Sequence, residues 1–200
     1  MRRIFTLILL MLSSSAWSKE LPVVAGVSLE LAQYRAANIA NVNYRLALDV
    51  PADVSADITG RVQVTFDLAG VTQPVQLDFR EQQQKLRDLR VNGREIEIDF
   101  RNEHLVLPIS ALKVGANTVQ IGFVAGSASL NRNPDYLYTL FVPDRARTAF
   151  PLFDQPDLKA RYDLTLDVPA GWVALGNAAV TTVTEQGDKS RYEFATSNPI

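Results

Sequence analysis

The sequence predicts a mainly β, largely antiparallel domain, a sandwich or a saddle-shaped pair of sheets, and three observations carry that expectation. Val62, Val64, Phe66 and Leu68 alternate with Arg61, Gln63, Thr65 and Asp67, the period-two pattern of a half-buried strand. Runs of this kind recur at intervals of about 8 to 15 residues with turn residues between them, as in two packed sheets, and no helical period separates them, which argues against a doubly wound α/β sheet. Asn92-Gly93, set between apolar runs at 89–91 and 96–100, supplies the positive φ angles that a tight hairpin turn demands.

In chain order, Arg2-Arg3 followed by the apolar stretch 4–12 and by small residues at Ala16 and Ser18 reads as a signal peptide over 1–18, cleaved before Lys19. The stretch is too short for a bilayer, which needs roughly 20 apolar residues, so no membrane span is expected after cleavage and the product is expected to be exported, periplasmic or secreted. Residues 19–37 form a lead-in with a short helix over 27–36, for which Ser28 is the N-cap. Residues 38–200 form the β domain. Strands are expected at 44–50, 61–68, 75–79, 89–91, 96–100, 105–107, 118–124, 136–142, 162–168, 172–175, 180–183 and 191–194. Residues 126–135 and 145–157 read as loops. Leu46-Ala-Leu-Asp-Val-Pro51 echoes Leu164-Thr-Leu-Asp-Val-Pro169, which reads as two strands of one type, each ending at a proline, in preference to a duplicated half. The ending Ser197-Asn-Pro-Ile200 looks cut, so the domain is expected to be truncated there.

The composition excludes several functions. Removing Arg2 and Arg3 with the leader takes the formal charge from −2 to −4, and without a Lys/Arg run there is no footprint for nucleic acid. Cysteine is absent, which removes disulfides, thiolate metal sites and a Cys nucleophile. The single histidine, His104, cannot make a two-His zinc site, and it reads as a surface or edge residue. No Gly-x-Ser-x-Gly elbow or phosphate-cradling glycine loop occurs. Asp49, Asp67, Asp78 and Asp99 fall on polar strand faces and read as ordinary solvated carboxylates. No catalytic or metal-binding residue is assigned, and no cofactor is expected on this chain.

One segment, 147–162, is unusual. Pro151 and Pro156 lock φ and bias the preceding residues, Phe150 and Gln155, away from the helical region. Phe150 and Phe153 are apolar anchors within a loop, Asp154 can accept hydrogen bonds from nearby amides, and Lys159 can pair with a carboxylate. The residues alone describe a rigid loop feeding a strand.

This segment closely resembles the Phe-Pro-Cys-Phe/Trp-Asp-Glu-Pro-x-x-Lys-Ala-x-Phe signature of zinc aminopeptidases of the aminopeptidase N family, which are gluzincin metallopeptidases. The matching residues are Arg147, Phe150, Pro151, Phe153, Asp154, Pro156, Lys159 and Ala160. Downstream, Val168-Pro-Ala-Gly-Trp172-Val-Ala-Leu-Gly-Asn177 is similar to the family's next strand and turn. Upstream, the helix leading into Asn43-Tyr44-Arg45-Leu46 is similar to its first strand. Leu152 and Gln155 depart from the signature's Cys and Glu, neither of which is catalytic.

The resemblance implies a non-catalytic β-saddle packed in cis on a thermolysin-like catalytic domain that carries zinc and acts on peptides. The Gly-x-Met-Glu-Asn and His-Glu-x-x-His motifs of that domain are missing from this chain. The substrate-amine Gln or Glu that some members place about ten residues before the signature has no counterpart among Tyr138, Thr139, Leu140 and Phe141. A domain that docks in this way is expected to expose a larger apolar patch than a monomer does. The alternative is a stand-alone exported β-sandwich that binds a peptide, protein or glycan through Tyr136, Tyr138, Phe141, Trp172 and Tyr192, although such aromatics more often pack in a core.

Overall fold

The computed structural model describes residues 20–200; the expected leader at 1–18 and its cleavage point lie outside the described residues. Helix α1 (Leu29–Asn38) starts where Ser28 holds an extended conformation and its Oγ accepts the Leu31 amide at 3.2 Å, satisfying one donor of the first turn. Ile39 closes the helix and opens the first strand without a loop.

The strands are β1 (Ile39–Asp49), β2 (Thr59–Leu68), β3 (Val75–Asp78), β4 (Leu86–Val91), β5 (Arg94–Glu95), β6 (Phe100–Arg101), β7 (His104–Leu107), β8 (Gly115–Val124), β9 (Leu130–Arg132), β10 (Leu137–Thr139), β11 (Arg161–Pro169), β12 (Val180–Gln186) and β13 (Lys189–Phe194). Eight of them form one sheet in the order β12-β13-β11-β1-β2-β8-β4-β5. A second sheet runs β3-β7-β6, and β9 and β10 form a separate hairpin. The expected mainly β fold is therefore present.

The core lies between the two larger sheets. Val62, Val64, Phe66 and Leu68 of β2 point inward with Val119, Ile121 and Phe123 of β8. They meet Val75 and Leu77 of β3, Leu105 and Leu107 of β7, and Phe150, Leu152 and Phe153 of the loop before β11. The alternation along β2 fixes the register, because a one-residue slip would turn all four apolar side chains to water. The turn at Asn92-Gly93 has φ of 51° and 81° and joins β4 to β5, as the sequence predicts.

Three expectations need correction. The strand expected at 172–175 is absent, and Val173 and Leu175 are exposed in a loop. The strand expected over 136–142 is reduced to Leu137–Thr139, because it pairs only with β9, which lies inside the stretch read as loop. Residues 96–99 lack strand structure, so the run expected there survives only as β5 and β6 at its edges. The pairing is largely antiparallel, as expected, and β1 with β11 is the one parallel pair among the described strands.

That parallel pair explains the echoed hexapeptides. Leu46, Ala47, Leu48 and Asp49 lie directly beside Leu164, Thr165, Leu166 and Asp167, so equivalent positions face the same layer and carry the same residue types. Like charges side by side would repel, and β13 neutralises both: Arg191 holds Asp167 with two bonds of 2.7 Å, and Lys189 pairs with Asp49.

Candidate functional site

The small sheet carries a polar centre that periodicity alone does not reveal. Asp78 ends β3 and His104 begins β7, directly opposite one another. Leu77 and Leu105, one position along, face the core, so Asp78 and His104 face the other way. On a two-layer sandwich that side would be wet. Here α1 and residues 24–26 cover it, and both side chains are fully buried.

Arg35 completes the centre. It shares a helix face with Leu31, four residues earlier, and is 1% exposed. Its Nη1 donates to Asp78 Oδ2 at 2.9 Å, its Nη2 donates to Asp78 Oδ1 at 2.6 Å, and Nη2 also reaches the Gln76 carbonyl at 2.7 Å. This is a bidentate charge-assisted pair. The guanidinium lies 5.3 Å from the centroid of the Phe153 ring. Nε2 of His104 faces the Val24 and Gly26 carbonyls at 2.8 and 2.9 Å. Both are acceptors, so Nε2 carries a proton. Nδ1 of His104 sits 2.9 Å from Asp78 Oδ1, within ion-pair distance but without a straight hydrogen-bond line.

Burial pushes the Asp78 carboxyl up, but the Arg35 charge, the His104 contact and the Arg35 hydrogen bonds outweigh it and hold the group at about 2. Asp78 is therefore a permanent anion at neutral pH. The reading of His104 as a surface or edge residue, and of Asp78 as a solvated carboxylate, is overturned. The physical reason is a third layer over the outer face of β3 and β7. The readable signal is Arg35 itself, a charge on the one apolar stripe of α1.

The loop before β11 is built onto this centre. The Asp154 amide donates to Asp78 Oδ2 at 2.8 Å, and the backbones of Asp78 and Leu152 exchange two hydrogen bonds. The Phe153 amide donates to the Tyr44 hydroxyl at 2.8 Å, while the Tyr44 ring stacks on Tyr162 at 4.8 Å. Asp154 Oδ2 accepts the Arg147 amide at 3.0 Å. Burial raises the Asp154 carboxyl above its ordinary value, the Arg147 amide opposes this, and the nearby Asp78 charge adds to it. The Arg147 carbonyl accepts the Arg80 amide, and its guanidinium donates to Asp144 at 2.8 Å. Phe150 packs edge-on against Phe141 at 5.8 Å.

Of the sequence-predicted residues, Arg147, Phe150, Pro151, Phe153 and Ala160 are thus buried and Asp154 is half-buried, all in one clasp, whereas Pro156 and Lys159 are exposed on its far end. Asn177 is exposed in the loop before β12 and stands apart from them. Leu152 fills core space. Gln155 is buried, its Nε2 donating to the Ala32 carbonyl of α1 at 3.1 Å. The aromatic candidates also divide. Phe141 packs on Phe150, and Trp172 and Tyr192 pack against a second small core of Val50, Ile58 and Val168. Tyr136 and Tyr138 remain outside, stacked on each other at 6.3 Å.

The arrangement does not fit a zinc centre. Asp78 is saturated by Arg35 and the Asp154 amide, and Nε2 of His104 is committed to two carbonyls. No group of three or more metal-ligating side chains occurs among the described residues. A depression of about 510 Å³ on the outer face of the large sheet is lined by Arg45, Arg61, Gln63, Asp88, Arg90 and Gln120. Its arginines pair with Asp163, Asp88 and Glu95 at 3.8, 3.2 and 3.6 Å, as on a solvated surface. No described helix is long and apolar enough to cross a membrane.

Residues 40–200 match the Peptidase M1 N-terminal domain family. Aminopeptidase M1-A of Oryza sativa is 32% identical over 142 residues, covering 67% of this chain and 16% of the relative. Aminopeptidase N of Streptomyces lividans is 32% identical over 106 residues, 46% of this chain and 12% of the relative. The crystal structure of an M1 zinc metallopeptidase from Deinococcus radiodurans superposes with a TM-score of 0.60 at 22% identity, over 82% of this chain and 40% of that one. A two-domain M1 zinc metallopeptidase bound to L-arginine superposes equally well, at 20% identity and with the same coverage. The chain thus spans less than a fifth of the curated relatives and two fifths of the solved neighbours. With the family match running from within β1 through the clasp to Ile200, this chain belongs to the peptidase M1 N-terminal domain family.

Proposed function

We propose that the chain is the non-catalytic N-terminal domain of an exported zinc metallo-aminopeptidase. In this reading it supports and shapes the substrate cleft of a thermolysin-like catalytic domain, and the parent removes N-terminal residues from peptides. The observation that supports it is the use made of the signature segment. Phe153, Asp154 and Arg147 spend their chemistry on Arg35, Tyr44, Asp78 and Arg80 of the same domain, and Phe150 packs on Phe123 and Phe141, as a scaffold requires and a catalytic loop does not. Zinc belongs to the partner domain, where it would polarise the scissile carbonyl and activate water; the described residues of this chain offer no donor set for it.

Two tests address the reading. The reading frame beyond Ile200 is expected to encode Gly-x-Met-Glu-Asn followed by His-Glu-x-x-His. The purified 200-residue chain is expected to retain no stoichiometric zinc and to leave an aminoacyl-nitroanilide uncleaved. Turnover by the pure chain would refute the non-catalytic assignment. The alternative, a stand-alone binding module, draws on the exposed Tyr136–Tyr138 stack and is favoured if translation stops after Ile200.

A further inference from the structure

We propose that β12 is an edge on which a second copy of this chain pairs, so that the eight-stranded sheet continues across a two-fold axis into that of its copy. A strand at the rim of a sheet presents unpaired amides and carbonyls, and proteins blunt such rims with short strands, charges, bulges or a covering segment. Among the described strands, three of the four rims of the two larger sheets are blunted in this way. β5, at the far end of the large sheet, has two residues, both charged. β6 also has only two. β3 is covered by the backbone of Leu152. β12 lacks that protection: all seven residues of Val180–Gln186 are exposed, with no Pro, Lys or Arg among them. Its bulge lies at one end, between Val180 and Thr182, and leaves 182–186 regular. Glu185 is its one charge, and the carboxylate accepts the Ser190 hydroxyl of β13 at 2.8 Å, away from the rim.

The geometry of the hairpin sets which groups are free. Gln186 lies opposite Lys189 across a two-residue turn whose first residue, Gly187, has φ of 67°, as a type II′ hairpin requires. The residues flanking such a turn bond to each other. Bonding then alternates along the pair, so Gln186, Thr184 and Thr182 spend their backbone groups on β13, while Val183 and Glu185 turn theirs to the open rim. Two copies placed antiparallel about Thr184 satisfy all of them: Val183 of each exchanges both bonds with Glu185 of the other. Thr184 then faces Thr184, and Thr182 faces Gln186. No like charges are directly opposed, which is the condition for stable cross-strand pairs. The rim is thus complementary to itself, as a two-fold contact demands, and that selects a second copy as the occupant. A single strand edge falls below the roughly 800 Å² per partner of a standard interface, so the association is weak and concentration-dependent.

Analytical ultracentrifugation of the 200-residue chain and of the complete translated product over a concentration series, joined with cysteine cross-linking, tests the proposal. Both lengths are expected to shift from monomer toward dimer as concentration rises. Thr184→Lys opposes two like charges on the axis and is expected to abolish the shift, with thermal melting unchanged because the side chain is exposed. The chain has no cysteine, so Thr184→Cys introduces a single thiol. Opposed Cα atoms of a non-bonded pair lie about 4.5 Å apart, within the roughly 4.4–6.8 Å that a disulfide spans. Thr184→Cys is therefore expected to form a covalent dimer many-fold faster than Val114→Cys, at a residue 67% exposed in the loop before β8. A chain monomeric at every concentration, a dimer that survives Thr184→Lys, or equal cross-linking at the two positions overturns the inference. Pairing by the short chain alone assigns the rim to another part of the longer product and also overturns it. None of these results touches the scaffold reading, which rests on the clasp.

Discussion

Asp78→Asn is the substitution that most directly probes the centre of this domain. Each neighbour of the carboxylate except His104 is a fixed donor: Arg35 Nη1 and Nη2 and the Asp154 amide. An asparagine keeps the volume but turns one of the two oxygens into an NH₂ aimed at those donors, and it leaves the Arg35 charge buried without its counter-ion. Breaking a buried pair in this way costs about 3–5 kcal/mol, a large part of the roughly 5–15 kcal/mol that holds a domain folded. At about 2–4 °C per kcal/mol for a chain of this size, the melting temperature falls by about 10 °C.

The assay is urea denaturation followed by circular dichroism, with the slope unchanged so that the midpoint reports stability. The double variant Arg35→Met/Asp78→Asn isolates the charge. With the guanidinium gone, the asparagine no longer leaves a buried charge without its counter-ion, so the double variant is expected to cost less than the sum of the singles by about 2 kcal/mol. A cost below about 1 kcal/mol for Asp78→Asn, or strict additivity in the double variant, would refute the account of this centre as a desolvated ion pair.

Three further outcomes are expected. Because Asp78 is held at about 2 against an ordinary 3.8, the unfolded chain binds the extra proton in that window; its contribution, about 2 kcal/mol, is complete above the upper value and lost as pH falls through the lower one. Asp78→Asn should therefore flatten the acid limb of a stability–pH curve, and an unchanged limb would assign that limb elsewhere. Tyr44→Phe strands the buried Phe153 amide while keeping the stack on Tyr162, at a cost of about 1–3 kcal/mol in the same urea assay. Gly60→Ala places a methyl 2.4 Å from the Phe123 ring and 2.9 Å from the Ala47 carbonyl, costing about 1–3 kcal/mol or more by overpacking, whereas Gly70→Ala, which meets nothing within 4 Å, should be silent on thermal melting.

How far the fold was legible depends on where each side chain's environment is decided. β2 reads directly from sequence because one face meets the core and the other meets water, so hydropathy encodes the environment. The turn at 92–93 reads because φ itself is constrained there. β3 and β7 mislead because both faces are covered, and an alternating polar residue then signals a second packed layer as readily as solvent. Asp78 and His104 are opposite only after β3 and β7 pair, and Arg35 joins them across 43 residues; no local pattern contains that geometry. The short β9–β10 hairpin and the unstructured 172–175 fail for the converse reason. Their apolar residues suit a strand locally, but at 172–175 no partner backbone is present to complete one.

The clasp also explains why so specific a sequence signature can carry no chemistry of its own. Its buried members act through groups that lie outside it: the Phe153 amide needs the Tyr44 hydroxyl, the Asp154 amide needs the Asp78 carboxylate, and Gln155 needs a carbonyl of α1. The prolines restrict the loop before these bonds form, which lowers the entropy lost in forming them. Motif and scaffold are therefore a single interlocked unit, and altering either half leaves buried donors in the other unsatisfied. A loop fixed so fully from within is stiff enough to present Phe141, and with it the Tyr136–Tyr138 row, at a set height above the core. The proposed role, holding one wall of a cleft that another domain completes, calls for that stiffness more than for a reactive group.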